Sequence, residues 1–93
     1  MPSIDITQPI HVPPEEARRR LDTFQAELNE RFGLVPTWTT PTRVEVRRTG
    51  GGGWLQIEPS RIVAHIDLSF ALTPLRGRIE SEIRRRFAEL FDD

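Results

Sequence analysis

The sequence contains no cysteine and no lysine. The absence of cysteine excludes disulfides, thiolate catalysis and cysteine-ligated zinc, and it is typical of a reduced, cytoplasmic protein. Long apolar runs are also missing, because charged residues interrupt every candidate for a membrane span. The N-terminus lacks the basic and apolar regions of a secretory signal. We therefore expect a cytoplasmic protein with no membrane span.

The chain also has no large excess of positive or of negative charge. All 13 basic residues are arginine, and 14 acidic residues bring the formal net charge to −1. Proteins that bind nucleic acid usually carry a basic excess on one face. No segment of this chain is strongly basic, so we do not expect nucleic acid as a partner.

Two arginine runs, at residues 18–20 and 84–86, are candidates for binding phosphates or an anionic surface. Many of these arginines, and others close to them in the sequence, have an acidic residue four positions away. Examples are Glu16 with Arg20 and Arg78 with Glu82. Pairs at this spacing meet on one helix face and neutralise it. The runs therefore predict solvated, neutralised helix surfaces.

Apolar spacing predicts two amphipathic helices. Pro14 favours the start of the first helix and Gly33 its end. Thr73 is a suitable cap for the second helix, with Pro74 in its first position. The apolar stripe of the first helix consists of Ala17, Leu21, Phe24, Leu28 and Phe32, and that of the second of Leu75, Ile79, Ile83, Phe87 and Leu90.

Alternating segments between and before the helices predict five strands. These segments are residues 3–7, 34–40, 43–47, 54–58 and 62–70. Ninety-three residues suffice for one hydrophobic core, so we expect a single domain over residues 1–93. The predicted fold is α+β in the order β-α-β-β-β-β-α, an antiparallel sheet with both helices packed on one face. Trp38 and Phe70 are expected in the core.

The glycine run at residues 50–53 resembles part of a phosphate-binding loop. Such a loop needs a following helix and, in the usual nucleotide motif, a lysine. A strand follows here, and the chain has no lysine. The run therefore predicts a flexible hairpin connection.

No constellation of residues predicts catalysis. His65, Asp67 and Ser69 share the open face of the last strand, but nothing places a nucleophile beside His65. His11 and His65 lack the spacing of metal ligands. We therefore expect no enzyme activity, no cofactor and no metal.

Four residues are candidates for partner contacts. Trp54 is out of phase with its apolar neighbours, so it should lie on the open face of the sheet near His65, either as a contact point or under the glycine connection. Gly77 stands in the first turns of the second helix, which indicates close packing or an unusual approach. Phe91 could reach a partner if the last helix undocked, although a core position is the simpler interpretation.

The segment LTPLRGRIESEI at residues 72–83 resembles the signature of the small polyhydroxyalkanoic acid system family, a bacterial group named for its association with genes of polyester storage granules. The segment at residues 31–34 followed by Trp38 resembles it too. The resemblance implies a role at, or in regulation of, storage granules, and it supplies no catalytic residues.

The leading hypothesis is a non-enzymatic accessory protein of polyhydroxyalkanoate storage that contacts granule proteins or the granule surface. Such a protein would be cytoplasmic and granule-associated. The alternative is a small apolar-ligand-binding domain of helix-grip-like architecture, for which a large apolar cavity would be the discriminating observation. A homodimer is compatible with both hypotheses.

Overall fold

The computed structural model describes residues 3–33, 35–48 and 51–91 of the chain. Its five strands are β1 (Ser3–Pro9), β2 (Val35–Thr40), β3 (Arg43–Arg48), β4 (Gly51–Ile57) and β5 (Arg61–Leu68). Its helices are α1 (Pro14–Phe32), a short 3-10 helix (Phe70–Leu75) and α2 (Arg76–Phe91). The predicted α+β class and the predicted element order are confirmed.

Helix α1 begins and ends where its sequence signals predict. Pro14 occupies the first turn, and Glu15 and Glu16 follow at the positive end of the helix dipole. Gly33 adopts a left-handed conformation with φ of 67°. Its N–H donates to the carbonyl of Asn29 at 3.1 Å, which closes the helix.

The sheet is antiparallel throughout, with the strand order β1-β5-β4-β3-β2. The first strand of the chain thus pairs with the last. Glu45, Trp54, His65 and Asp5 stand side by side across β3, β4, β5 and β1 on the open face. One residue further along, Val44, Leu55, Ala64 and Ile6 form the matching row on the core face.

The hydrophobic core lies between the core face of the sheet and both helices. Phe24 of α1 meets Phe87 of α2 edge to face, with ring centroids 5.7 Å apart. Both helices therefore cover the same side of the sheet, as predicted. The buried apolar residues are Ile4, Ile6, Ile10, Ala17, Leu21, Phe24, Leu28, Val44, Val46, Leu55, Ile57, Ile62, Ala64, Leu68, Phe87 and Phe91.

The prediction of a flexible glycine connection is wrong for Gly51, Gly52 and Gly53, which are strand residues of β4. A Cβ atom on Gly51 would lie 2.9 Å from the main-chain oxygen of Asp67, and one on Gly53 would collide with that of His65. The glycines are needed because the backbone of β5 passes close to β4. Residues 49 and 50 lie outside the described residues.

The predicted start of the second helix is also wrong. Thr73 does not cap α2; it lies in the 3-10 helix, and its Oγ1 donates to the carbonyl of Ser69 at 3.2 Å. Pro74 lies inside the same 3-10 helix, and α2 begins at Arg76. Strand β5 ends at Leu68, two residues earlier than predicted. The side chain of Phe70 lies outside the described residues.

Trp38 packs against the core at its edge, as predicted, and is partly buried. Its indole Nε1 donates to Asp22 Oδ1 at 3.0 Å. The guanidinium of Arg18 lies over the indole ring, 4.4 Å from its centroid. These contacts fasten β2 to α1.

Candidate functional site

A cleft of about 380 Å³ lies between the sheet and α2. Its walls come from α1, β3, β4, β5, the 3-10 helix and α2, and apolar side chains dominate them. The apolar members are Phe24, Leu28, Val46, Trp54, Leu55, Ala64, Ile66, Leu68, Leu72, Leu75, Ile79, Ile83 and Phe87. The volume falls within the range of small-molecule sites, about 300–1,000 Å³.

Two glycines of β4, Gly51 and Gly52, border this space. Gly51 pairs with Leu68 of β5, which also lines the cleft. A Cβ atom on Gly51 would meet the backbone of β5, so this glycine lets β4 and β5 approach closely at the edge of the cleft.

The side chains of the apolar stripe of α2 become more exposed toward the start of the helix. Phe91 and Phe87 near the C-terminal end are 2% and 1% exposed. Ile83 and Ile79 are partly buried, and Leu75, just before the helix, is 45% exposed. The cleft is therefore closed toward the end of α2 and opens at the junction of the 3-10 helix with α2.

Five charged residues line the cleft, and four of them have partners. Arg86 donates to Glu27 and, through Nη1, to Glu89 at 2.7 Å. The other two lining acids are also paired: Glu82 accepts from Arg85 Nη2 at 2.7 Å, and Asp67 Oδ1 lies 3.0 Å from His65 Nε2. Each acid of the cleft therefore already has a cationic partner.

Arg78 is the fifth charged residue. In the part of the chain that the structure describes, it forms no hydrogen bond or ion pair. The predicted pair of Arg78 with Glu82 is wrong, since Glu82 binds Arg85 instead. The exposed guanidinium of Arg78 is therefore open to an anionic group at the rim of the cleft.

Arg86 carries a second unused donor. Its Nε is buried and lacks a hydrogen-bond partner among the described residues, although its other nitrogens are engaged. A buried N–H without a partner costs about 1–3 kcal/mol. A polar atom of a bound molecule within reach of this nitrogen would remove that cost.

The open face of the sheet carries a second cluster, centred on His65. Nδ1 of His65 lies 2.6 Å from Oδ1 of Asp5, and Nε2 lies 3.0 Å from Oδ1 of Asp67. The hydrogen bond to Asp5 is the main cause that raises the pKa of His65 above its ordinary value, with Asp67 adding to it against the opposing effect of burial. The two carboxylates therefore favour the protonated form of the imidazole.

Trp54 lies on the open face, as predicted, and is half-buried. Its ring stacks on His65 with centroids 5.8 Å apart, and the guanidinium of Arg43 lies 4.6 Å from its centroid. Trp54 is therefore sandwiched between two residues of the neighbouring strands. The packing against a glycine connection considered above does not occur, because that segment is strand.

The four candidate residues do not form one site. Trp54 and His65 are in contact on the open face, whereas Phe91 is buried in the core on the other side. Gly77 is exposed at the start of α2, and a Cβ atom there would meet nothing within 4 Å. Close packing against the described part of the chain therefore does not explain this glycine.

Sequence reasoning raised an apolar cavity only under the alternative hypothesis, and it missed Leu75 as an exposed residue and Arg78 as a lining residue. The distance between β4 and α2 is a tertiary property, and only the cost of Gly77 beside Arg78 hinted at an unusual helix start. Among the described residues, no group of three or more His, Cys, Asp or Glu side chains is arranged to hold a metal ion. None of their helices has the length and apolar character needed to cross a membrane.

Fold and site together define a small α+β domain with an apolar cleft between its sheet and its second helix. The sequence model of the family described as "Putative polyhydroxyalkanoic acid system protein" matches residues 4–91, and the chain belongs to that family. The resemblance found at residues 72–83 is thereby confirmed.

A similar solved structure is the crystal structure of TTHA0849 from Thermus thermophilus. It is 13% identical, with 96% of this chain and 88% of that chain covered, and the TM-score is 0.37. Similarity at this level carries no argument about function. No curated protein matches the sequence.

Proposed function

We propose that the protein is a non-enzymatic accessory protein of the polyhydroxyalkanoate storage system that acts by contact with the granule. The observation that carries the proposal is the apolar cleft, which opens to solvent at Leu75 in a chain of this family. An exposed apolar opening of this kind is typical of surfaces that bind apolar material.

The polyester surface is the partner that fits the cleft mouth best. The surface of a polyester granule is apolar, and Leu72, Leu75 and Ile79 supply apolar side chains around the opening. The formal net charge of −1 gives little long-range attraction or repulsion. Apolar burial is therefore the expected driving force, and retention should persist at high salt.

The state of His65 supports a role without catalysis. Both of its ring nitrogens contact carboxylates, so neither is available to take a proton from a substrate. A general base needs such a free nitrogen within reach of the reacting group. The open-face cluster is better explained as a cross-strand tie between β1 and β5.

Co-sedimentation with native and with protein-stripped polyhydroxyalkanoate granules tests the proposal, with an unrelated small acidic protein as control. Retention on stripped granules, undiminished in about 1 M NaCl, is the expected result. Retention on native granules alone would assign the contact to a granule protein. Absence from both pellets would contradict granule contact.

The volume of the cleft favours a second function, the binding of a small apolar ligand. Its 380 Å³ is more than twice the roughly 150 Å³ of a dry protein cavity that takes up benzene. In this function the protein would be a cytoplasmic carrier or sensor, and a homodimer is compatible with either role. Light scattering during size-exclusion chromatography measures the oligomeric state directly.

A further inference from the structure

We infer that the cleft beneath α2 binds an alkyl chain that ends in a carboxylate, with the chain in the apolar interior and the carboxylate at Arg78. The inference deepens the proposed function and rests on the cleft being its binding site. It is carried by the shape of the cleft, its apolar lining and the unpaired guanidinium of Arg78 among the described residues.

The interior of the cleft favours an alkyl chain in the ligand. Leu55, Ala64 and Phe87 form a floor that offers no side-chain hydrogen bond, so a polar chain would lose its water without replacement. The cleft is closed toward Phe87 and open near Leu75. An alkyl chain would enter at the open end and extend inward along α2. It would pass first Ile79 and then Ile83, which lie about one helical turn apart.

The rim selects the head group. Each acid of the lining already has a cationic partner, whereas Arg78 has none in the described part of the chain. A cationic head group would have to compete with the cations that already contact these acids. An incoming carboxylate would meet a guanidinium whose geometry suits it, and that guanidinium needs to break no existing ion pair.

Arg86 adds a second polar contact deeper in the wall. Its buried Nε has no partner among the described residues, so an oxygen on the ligand between the carboxylate and the chain end would supply one. Arg86 stands eight residues beyond Arg78 on α2, about 12 Å along the helix axis, so this oxygen would lie near the inner end of the chain and not beside the carboxylate. Free fatty acids and hydroxyalkanoic acids share the alkyl carboxylate, and their affinities distinguish the two sources.

Isothermal titration calorimetry with octanoate, 3-hydroxyoctanoate, 1-octanol and octylammonium tests the inference on the full chain. We expect octanoate to bind more tightly than 1-octanol and more tightly than octylammonium. Tighter binding of 3-hydroxyoctanoate than of octanoate would identify hydroxyalkanoic acids as the source, and equal binding would identify fatty acids. Equal affinity for octanoate and 1-octanol, tightest binding of octylammonium, or no binding at all would overturn the inference.

Three variants locate the contacts. Arg78→Gln should weaken octanoate binding about fivefold, the upper end for an exposed ion pair, and leave 1-octanol binding unchanged. Arg19→Gln removes the same charge from an exposed site outside the cleft and should change neither affinity. Ile79→Phe narrows the cleft and should weaken both ligands, with circular dichroism to verify folding. Equal effects of Arg78→Gln and Arg19→Gln would contradict the assignment of Arg78.

The calorimetry tests this inference, and the granule assay tests the proposed function, so either result can be negative without the other. Granule retention without octanoate binding would overturn this inference and leave granule contact in place. Octanoate binding without retention would leave this inference in place and contradict granule contact.

Discussion

Nδ1 of His65 lies 2.6 Å from Oδ1 of Asp5, although the two residues are 60 positions apart in the chain. The contact exists because β1 and β5 pair in a register that sets Asp5 opposite His65. Asp67, two residues further along β5, engages the other ring nitrogen. Three side chains thereby join the first strand to the last on the open face.

This arrangement makes stability depend on pH. The pKa of His65 is raised in the folded state, so its contribution is fully present below the unfolded value of about 6.5 and is lost as pH rises through the higher folded value. We expect the free energy of unfolding, measured in urea, to fall over that interval. In His65→Asn this fall should be absent, and an equal fall in the variant would contradict the account.

The two carboxylates should contribute unequally to the pKa of His65. The hydrogen bond that His65 donates to Asp5 is its largest cause, so Asp5→Asn should lower the pKa of His65 more than Asp67→Asn does. Titration of the imidazole signals by NMR measures both shifts. A larger effect of Asp67→Asn would show that the shorter contact is not the stronger one.

Two glycines should respond to alanine in opposite directions. Gly53→Ala places a Cβ atom against the main-chain oxygen of His65 and should lower the free energy of unfolding by about 1–3 kcal/mol. Gly77→Ala meets open space within a helix and should raise it by about 0.5–1 kcal/mol. Chemical denaturation of both variants measures these changes. Stabilisation by Gly53→Ala would show that β4 and β5 do not approach as closely as described.

Phe91 should act on stability rather than on partner contacts. The side chain is 2% exposed, so Phe91→Ala removes a buried aromatic ring and should lower the free energy of unfolding by about 3–5 kcal/mol. A thermal melt of the variant tests this. A melting temperature equal to that of the wild type would show that the end of α2 is not docked in the core.

Local signals explain why much of the fold is predictable. Pro14 and Gly33 act through their own backbone geometry, so the bounds of α1 follow from sequence alone. The alternation in β3 and β5 likewise reports which face each residue occupies. The predicted and observed elements therefore agree closely, except at the glycine run and at the start of α2.

The remaining features depend on distant parts of the chain. Gly51 and Gly53 look like a connection until β5 is placed beside them, because only its backbone makes a side chain impossible there. Asp5 and His65 meet through a pairing of the first strand with the last, which no local pattern encodes. The size and opening of the cleft depend on how α2 packs on the assembled sheet. The sequence therefore raised an apolar cavity only as the observation that would favour ligand binding.

The central claim is that the cleft mouth contacts the polyester surface, and the most direct test is retention of Leu75→Ser on protein-stripped granules. Val35→Ser is the matched control, since Val35 is 56% exposed on β2 and does not line the cleft, while Leu75 is 45% exposed at its mouth. We expect Leu75→Ser to reduce retention several-fold, with Val35→Ser and the melting temperatures of both variants close to wild type. Equal retention of the wild type and both variants would contradict the claim.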